Sequence, residues 1–383
     1  MPLNYNLSEI IGHKKQIDFL NGLYISQRMP SGLLFYGQKN IGKNITALSF
    51  AASVLCGDYA ENFQAAAASS SLNFCGKCPS CLSVLNGMNQ NIFTVESSGN
   101  SIKIETIHQI TSFLSLKPQY PTHRFIIIND ASAMNPSASN ALLKILEEPQ
   151  EKTVFILITS SPGMLAPTIV SRCILLCFAP ISDEILSGTV KLTYPDIKDD
   201  KLKIFLKLAR GSYSGFIRLI EGGYLEKRDF LINNVFEKLF YEFKKRGDIY
   251  GISAEFASKF TFQEKVSKSK AAKKKNGGGI IIDAEAKDAA ADEDEDKDKT
   301  YIFELILFIF RDIYIYSLLK NEEILYNEDI AGEIKKFAFE SGASPEDIRH
   351  MIETTVLHIE KINSYNLNKS ISIDSYFSNL ISA

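Results

Sequence analysis

Arg124-Phe-Ile-Ile-Ile-Asn-Asp130 opens the stretch whose reading decides the fold, which runs on to Cys173. Four consecutive apolar residues closed by two polar ones describe a strand buried on both faces, the pattern of a parallel sheet. Ser137-Ala-Ser-Asn-Ala-Leu-Leu-Lys-Ile-Leu-Glu-Glu-Pro149 follows. Its Ala141, Leu142, Ile145 and Leu146 fall on one helical stripe, and Pro149 stops the helix. Val154-Phe-Ile-Leu-Ile-Thr159 reads as a second buried strand, and the stretch closes on Thr168-Ile-Val-Ser-Arg-Cys173. Strand, helix, strand is a βαβ unit, so a right-handed crossover over a parallel sheet is expected. Asn129, Asp130 and Thr159 then lie at the carboxyl ends of strands, beside the crevice where α/β sheets bind ligands.

Upstream, Ser31-Gly-Leu-Leu-Phe-Tyr-Gly37 reads as a strand, and a helix is expected from Ile45 to about Leu55. Between them Gly37, Gly42 and Lys43 match G-x-x-x-x-G-K. Glycines let backbone N–H groups curl round phosphates at a helix N-terminus, and the lysine reaches the outer phosphates. The competing reading is a plain glycine-rich turn, but the strand–loop–helix context favours phosphate. The residue after the lysine should be Ser or Thr, whose hydroxyl binds Mg²⁺. Here it is Asn44, whose amide oxygen meets the ion poorly, and Thr46 two residues on is a weak substitute.

With 383 residues there is chain enough for two or three domains, and a net charge of −3 excludes a basic nucleic-acid coat. No apolar run long enough for a membrane span occurs, and the N-terminus lacks the regions of a signal peptide. A cytoplasmic protein is expected, in which clustered cysteines mean metal or catalysis rather than disulfides. Cys75, Cys78 and Cys81 stand at successive C-x-x-C spacing, and Cys56 ends the preceding helix. Four thiolates in two local groups suit a structural Zn²⁺ in a tetrahedral site. A redox dithiol is the alternative. It would open a helix after a strand, whereas this cluster follows a polar, alanine-rich loop from about Glu61 to Leu72. Cys173 and Cys177 read as small buried apolar residues of a further strand, and His108 as a surface residue of a helix opening near Ile102.

Together these motifs resemble a bacterial DNA polymerase III clamp-loader subunit of the AAA+ superfamily. The resemblance rests on Ile10-Ile-Gly-His13, the Gly37–Lys43 loop, the four-cysteine module, Ile102-Lys-Ile104, Asn140–Pro149, Thr159 at the sensor-1 position and Ser171-Arg-Cys173. It covers residues 5–220 closely and the remainder in character. It implies an AAA+ P-loop domain over residues 1–180 with a zinc module at 56–81, and a small helical lid domain at 181–223. An all-α collar for oligomerisation would take 224–263 and 301–383. The segment 264–300, a lysine run followed by an acidic tract, reads as a disordered charged insertion.

Within that family, motor subunits of gamma/tau type carry Asp-Glu where this chain has Asn129-Asp130, a degraded pair for holding Mg²⁺ and polarising water. Ser214 stands where a motor has its sensor-2 arginine. Degradation with the fold motifs kept resembles the delta-prime type. The resemblance implies that Arg172 acts in trans as an arginine finger, and that ATP or ADP binds weakly or without hydrolysis through Gly37, Gly42, Lys43, Asn44, Thr46 and Thr159. It also implies partners: gamma/tau and delta subunits in a hetero-pentameric ring, the sliding clamp, and primed DNA through the complex. The other class kept in view is an ATP-hydrolysing gamma/tau-like motor or another AAA+ ATPase. A redox or nucleic-acid module lacks basic and aromatic residues interleaved round the cysteines.

Overall fold

The structure, a computed structural model, describes residues 6–57, 72–96, 101–116, 123–239, 251–254, 256, 285–340, 342–364 and 369–381. The chain divides into two compact units, 1–219 and 220–383. In the first, the order is α1 (Lys14–Ile25), β1 (Gly32–Gly37), α2 (Lys43–Val54), α3 (Pro79–Leu85), β2 (Ile92–Val95) and α4 (Ile104–Ser115). There follow β3 (Arg124–Ile128), α5 (Pro136–Glu147), β4 (Thr153–Thr159), α6 (Pro167–Val170) and β5 (Ile174–Phe178). Helices α7 (Asp183–Thr193), α8 (Asp199–Ala209) and α9 (Tyr213–Glu221) come after the sheet.

The five strands form one parallel sheet in the order β2-β3-β4-β1-β5. Every residue of β3 and of β4 is buried, as continuous apolar runs require when helices cover both faces. Alternation along the strands divides the core. Leu33, Phe35, Phe125, Ile127 and Ile156 meet Phe50 and Ala47 of α2 on one face. Leu34, Ile126, Ile128 and Leu157 meet Ile107 and Ile110 of α4 and Leu142 and Leu146 of α5 on the other. Helix α5 starts where Asn135 accepts a hydrogen bond from the Ala138 N–H at 2.8 Å, with Pro136 in the first turn. Its fully buried positions are Ala138, Leu142 and Leu146, while Ala141 and Ile145 of the expected stripe are half-buried.

Cys173 is buried as expected, but Cys177 is exposed. The cause is topological: among the described strands β5 is an edge, paired with β1, so its alternate residues face solvent. The Gln16 side-chain amide donates to the Cys177 carbonyl and so covers part of that edge. His108 is exposed, in line with its reading.

In the second unit α10 (Tyr224–Phe230) runs into a π-helical turn at Leu231–Phe236, and α11 (Glu285–Leu319), α12 (Ala331–Glu340), α13 (Pro345–Ser364) and α14 (Lys369–Ile381) follow. The helix of α11 begins at Glu285, inside the tract expected to be disordered; alanine, glutamate and lysine are good helix formers. Residues 264–284 of that tract, most of the Glu61–Leu72 loop and residues 240–250 of the expected collar lie outside the described residues. Among the described residues no helix is long and apolar enough to cross a membrane.

The core of this unit has a polar knot. Asp312, fully buried, accepts from the Tyr326 N–H at 3.1 Å, the Asn327 N–H at 2.9 Å and the Arg311 guanidinium at 2.6 Å. Asn327 in turn accepts from the Tyr224 hydroxyl at 2.6 Å, and Arg228 pairs with Asp329 at 2.7 Å. A buried carboxylate is tolerable only when it is so satisfied.

On α13 the buried stripe is Ile348, Met351, Thr355 and His358, while Val356 and Leu357 are exposed. The Thr355 hydroxyl donates to the Met351 carbonyl at 2.7 Å and meets the Tyr376 hydroxyl at 2.9 Å. His358 lies edge-on to Phe303, ring centroids 4.6 Å apart. Burial, helped by the Lys361 charge, pulls it down from 6.5 to about 4. Between those limits the unfolded chain binds a proton that the folded chain does not, so stability falls as pH drops from 6.5 towards 4. At about 1.4 kcal/mol per pH unit the loss attributable to His358 reaches at most roughly 3 kcal/mol. His358→Phe keeps the aromatic contacts and is expected to lose less stability across that range, as measured by urea unfolding at both ends. Equal losses in the two proteins would exclude His358 as the cause.

Candidate functional site

Parallel strands bring their carboxyl ends to one edge, and the loops after β1, β3 and β4 meet there. Gly37 ends β1, paired with Phe178 of β5. Its φ is +147°, and a Cβ there would lie 2.1 Å from the Phe178 carbonyl oxygen. The first glycine of the loop is thus demanded by packing against β5, whatever the loop binds. Gly42, at φ +99°, is the N-cap of α2, and Asn40 at the loop's tip is also left-handed at +61°. Asn and Gly are the residues that take that conformation most cheaply.

Lys43 is buried, and its ammonium donates to the carbonyls of Gly37 at 2.7 Å and Gln38 at 2.5 Å. Burial, with the Lys39 charge adding to it and Asp130 opposing, pulls its pKa down to about 8. Asn44 is exposed on the first turn of α2. Thr46 is fully buried and its hydroxyl donates to the Gly42 carbonyl at 2.8 Å, so that oxygen is engaged by the helix itself.

Two strands away, Asn129 donates its amide to Glu96 at 2.6 Å. Asp130 is left-handed at φ 49° and accepts from the Ser132 hydroxyl at 2.8 Å. Thr159 is buried beside Tyr36 of β1, and its hydroxyl accepts from the Ser161 N–H at 3.0 Å. Lys43, Asp130 and Thr159 therefore gather at the same sheet edge. Nothing local in the sequence marks Glu96, and His13 stands out there only as part of the Ile10–His13 motif. His13 is buried under the loop, its Nε2 2.5 Å from the Ile41 carbonyl and its ring edge-on to Phe178 at 4.9 Å. A carbonyl only accepts, so Nε2 carries a hydrogen; burial lowers the pKa and keeps the ring neutral.

The four cysteines form a second centre. Cys56 follows the end of α2, Cys75 and Cys78 lie in the turn before α3, and Cys81 is in its first turn. Their sulfurs all lie within 4.8 Å of one another, with Cys75 and Cys81 at 3.8 Å. Four thiolates at the ordinary Zn–S distance of about 2.3 Å span tetrahedral edges of ~3.8 Å. The residues present thus fit a tetrahedral metal ion.

Backbone N–H groups already point at the sulfurs: Gly57 to Cys78 at 3.2 Å, Cys78 to Cys75 at 3.3 Å, Cys75 to Cys56 at 3.4 Å. Burial pushes the Cys78 thiol up, but the donors from Cys81 and Gly57 outweigh it and hold it at about 7. Around the sulfurs Ala52, Phe74 and Val84 form a small apolar cluster.

Arg172 lies elsewhere. It precedes β5, whose first residue, Ile174, pairs with Leu33 near the start of β1. It therefore stands at the amino end of the sheet, a strand length of roughly 15–20 Å from the loop after β1. Its guanidinium donates to the Thr168 carbonyl at 2.9 Å and pairs with Glu147 of α5 at 2.6 Å. Both side chains are exposed to solvent, at 36% and 49%.

Comparison with known proteins bears on this geometry. Residues 12–182 match the family model described as "DNA polymerase III, delta subunit". The delta-prime subunit of DNA polymerase III from Pseudomonas aeruginosa is 32% identical over 205 residues, which are 53% of this chain and 59% of that protein. The Bacillus subtilis delta-prime subunit is 32% identical over 154 residues, 40% of this chain and 44% of the relative. The tau subunit of the same organism is 25% identical over 217 residues, 56% and 37% of the two chains. The matches thus span about half the length of these relatives. A gamma subunit-related protein from Thermotoga maritima aligns over 91% of this chain and 98% of its own, at 17% identity and a TM-score of 0.37. Residues 12–182 thus carry the similarity to DNA polymerase III subunits, and the relatives that are 32% identical to this chain are delta-prime subunits.

Proposed function

We propose that this chain is a subunit of a DNA polymerase III clamp loader that helps place the sliding clamp on primed DNA. It acts as a mostly non-hydrolysing stator and offers Arg172 to the ATP site of a neighbouring subunit. The observation that carries this reading is the state of the magnesium site. The loop keeps Gly37, Gly42 and Lys43, but Asn44 stands where the hydroxyl ligand would be and Asn129 where the Mg²⁺ aspartate would be, and the Thr46 hydroxyl is engaged by Gly42. Asp130 is also a carbon shorter than the glutamate that would polarise water. In this reading residues 181–223 form a lid, and residues 224–263 and 301–383 a collar that joins gamma/tau-like and delta-like neighbours in a ring. The cysteines hold one structural zinc with no part in hydrolysis.

The isolated chain is expected to turn over ATP, with magnesium, at the level of its own Lys43→Ala variant. Vigorous turnover that Lys43→Ala abolishes would instead favour the second reading, a gamma/tau-like motor, for which the similarity to tau speaks. The scaffold reading also requires that the chain restore clamp loading to a complex lacking only its delta-prime subunit.

A further inference from the structure

Two serine hydroxyls from outside the phosphate loop meet at one of its backbone carbonyls. The Asn40 carbonyl, at the loop's tip, accepts from Ser212 at 2.5 Å and from Ser214 at 2.8 Å. A carbonyl oxygen has two lone pairs, and here both are taken. Ser212 is buried and also accepts from the Gly215 N–H at 3.0 Å, which makes it the cap of α9 as well. Ser214 is exposed, on the first turn of α9, and its hydroxyl also lies 3.4 Å from that of Ser212.

The base from which these hydroxyls reach is itself fixed. Gly211 has φ +75°, and a Cβ there would come within 2.6 Å of the Pro180 side chain and 2.7 Å of the Ile181 backbone. The Ile181 N–H donates to the Gly211 carbonyl at 3.0 Å. The turn before α9 is therefore seated on the chain that leaves β5, and the two serines extend from it to the loop after β1. On the loop's inner side the Lys43 ammonium holds the Gly37 and Gln38 carbonyls. The loop is thus gripped from within by its own lysine and from without by α9.

We propose that Ser212 and Ser214 are positioning residues which tie the phosphate loop to α9 through the Asn40 carbonyl, so that loop and helix open together. Protein hydroxyls thereby join two elements that need no bound phosphate to bridge them. The tie does not depend on whether the chain hydrolyses ATP.

Amide hydrogen exchange of the full chain, followed by mass spectrometry of peptides covering 36–46 and 210–221, tests this. Ser214→Ala is expected to speed exchange in both peptides about threefold to fivefold, the loss of one ordinary hydrogen bond. Ser212→Ala/Ser214→Ala together should speed both by about tenfold or more. Ser214→Thr, which keeps the hydroxyl, should return both peptides to the wild-type rate. Acceleration confined to 210–221 would reduce Ser212 to a helix cap and overturn the proposal. No change in either peptide for Ser214→Ala, or loss of rescue by threonine, would overturn it too.

Discussion

Cys81→Ser is expected to reduce bound zinc from one per chain to a small fraction and to loosen the whole segment from Phe74 to Leu85. Cys81 is fully buried and its sulfur lies 3.8 Å from that of Cys75. A hydroxyl in its place is a harder, shorter ligand and leaves a three-sulfur site. Structural zinc sites in small peptides contribute on the order of 10–16 kcal/mol, because the unfolded ligands hold no preformed site. Here Cys56 is fixed by α2 and the Phe74–Val84 cluster packs beneath the sulfurs, so part of the segment's order is independent of metal. The expected cost is therefore local: proteolysis within 72–86 on removing the metal, with the parallel sheet intact by circular dichroism. Two measurements decide it, elemental analysis under reducing conditions and limited proteolysis. Wild-type protein without stoichiometric zinc would sink the assignment, as would a Cys81→Ser protein that keeps it.

The two centres differed in how plainly sequence displayed them. The cysteines are a local signal, three within seven residues, and the turn geometry follows from spacing alone. Only Cys56 had to come from another element, and its position at the end of α2 supplied that. The buried strands were equally legible, since β3 and β4 are apolar without interruption and only a two-faced sheet can bury such runs. Cys177 misled because an apolar strand at a sheet edge has the same composition as one inside it; edge position is set by topology, not by residues.

What remained hidden were partnerships between distant residues. Glu96 with Asn129 is 33 positions apart, and Ser214 with Asn40 is 174. Neither has a periodicity to betray it. On α13 polar residues share the buried face: Thr355 and His358 are buried, the threonine hydroxyl satisfied by Met351 and Tyr376, while Val356 and Leu357 next to them are exposed.

Replacement of Arg172 by alanine is expected to have the largest effect on activity. At the amino end of the sheet it lies a strand length from the loop after β1 in its own chain, so the proposed finger role needs a site outside this chain. In the free chain its guanidinium rests on Glu147 at 2.6 Å. That pair is more than a third exposed on both sides, and such pairs contribute ~0–1 kcal/mol after screening. A γ-phosphate presents more charge and a geometry that the planar fork meets bidentately, so transfer from Glu147 costs little.

Arg172→Ala should fold normally and keep its zinc, since the arginine covers no core. In a reconstituted complex it should lower the rate at the facing ATP site by roughly 10³-fold, the scale of arginine-finger losses. DNA-stimulated clamp loading should fall with it. Arg172→Lys should recover only part, because an ammonium keeps the charge and loses the fork. Glu147→Gln discriminates further: if the salt bridge only parks the finger, this variant leaves assembled activity near wild type. A complex containing Arg172→Ala that hydrolyses ATP at the wild-type rate would refute the trans-acting role and leave Arg172 as a surface partner of Glu147.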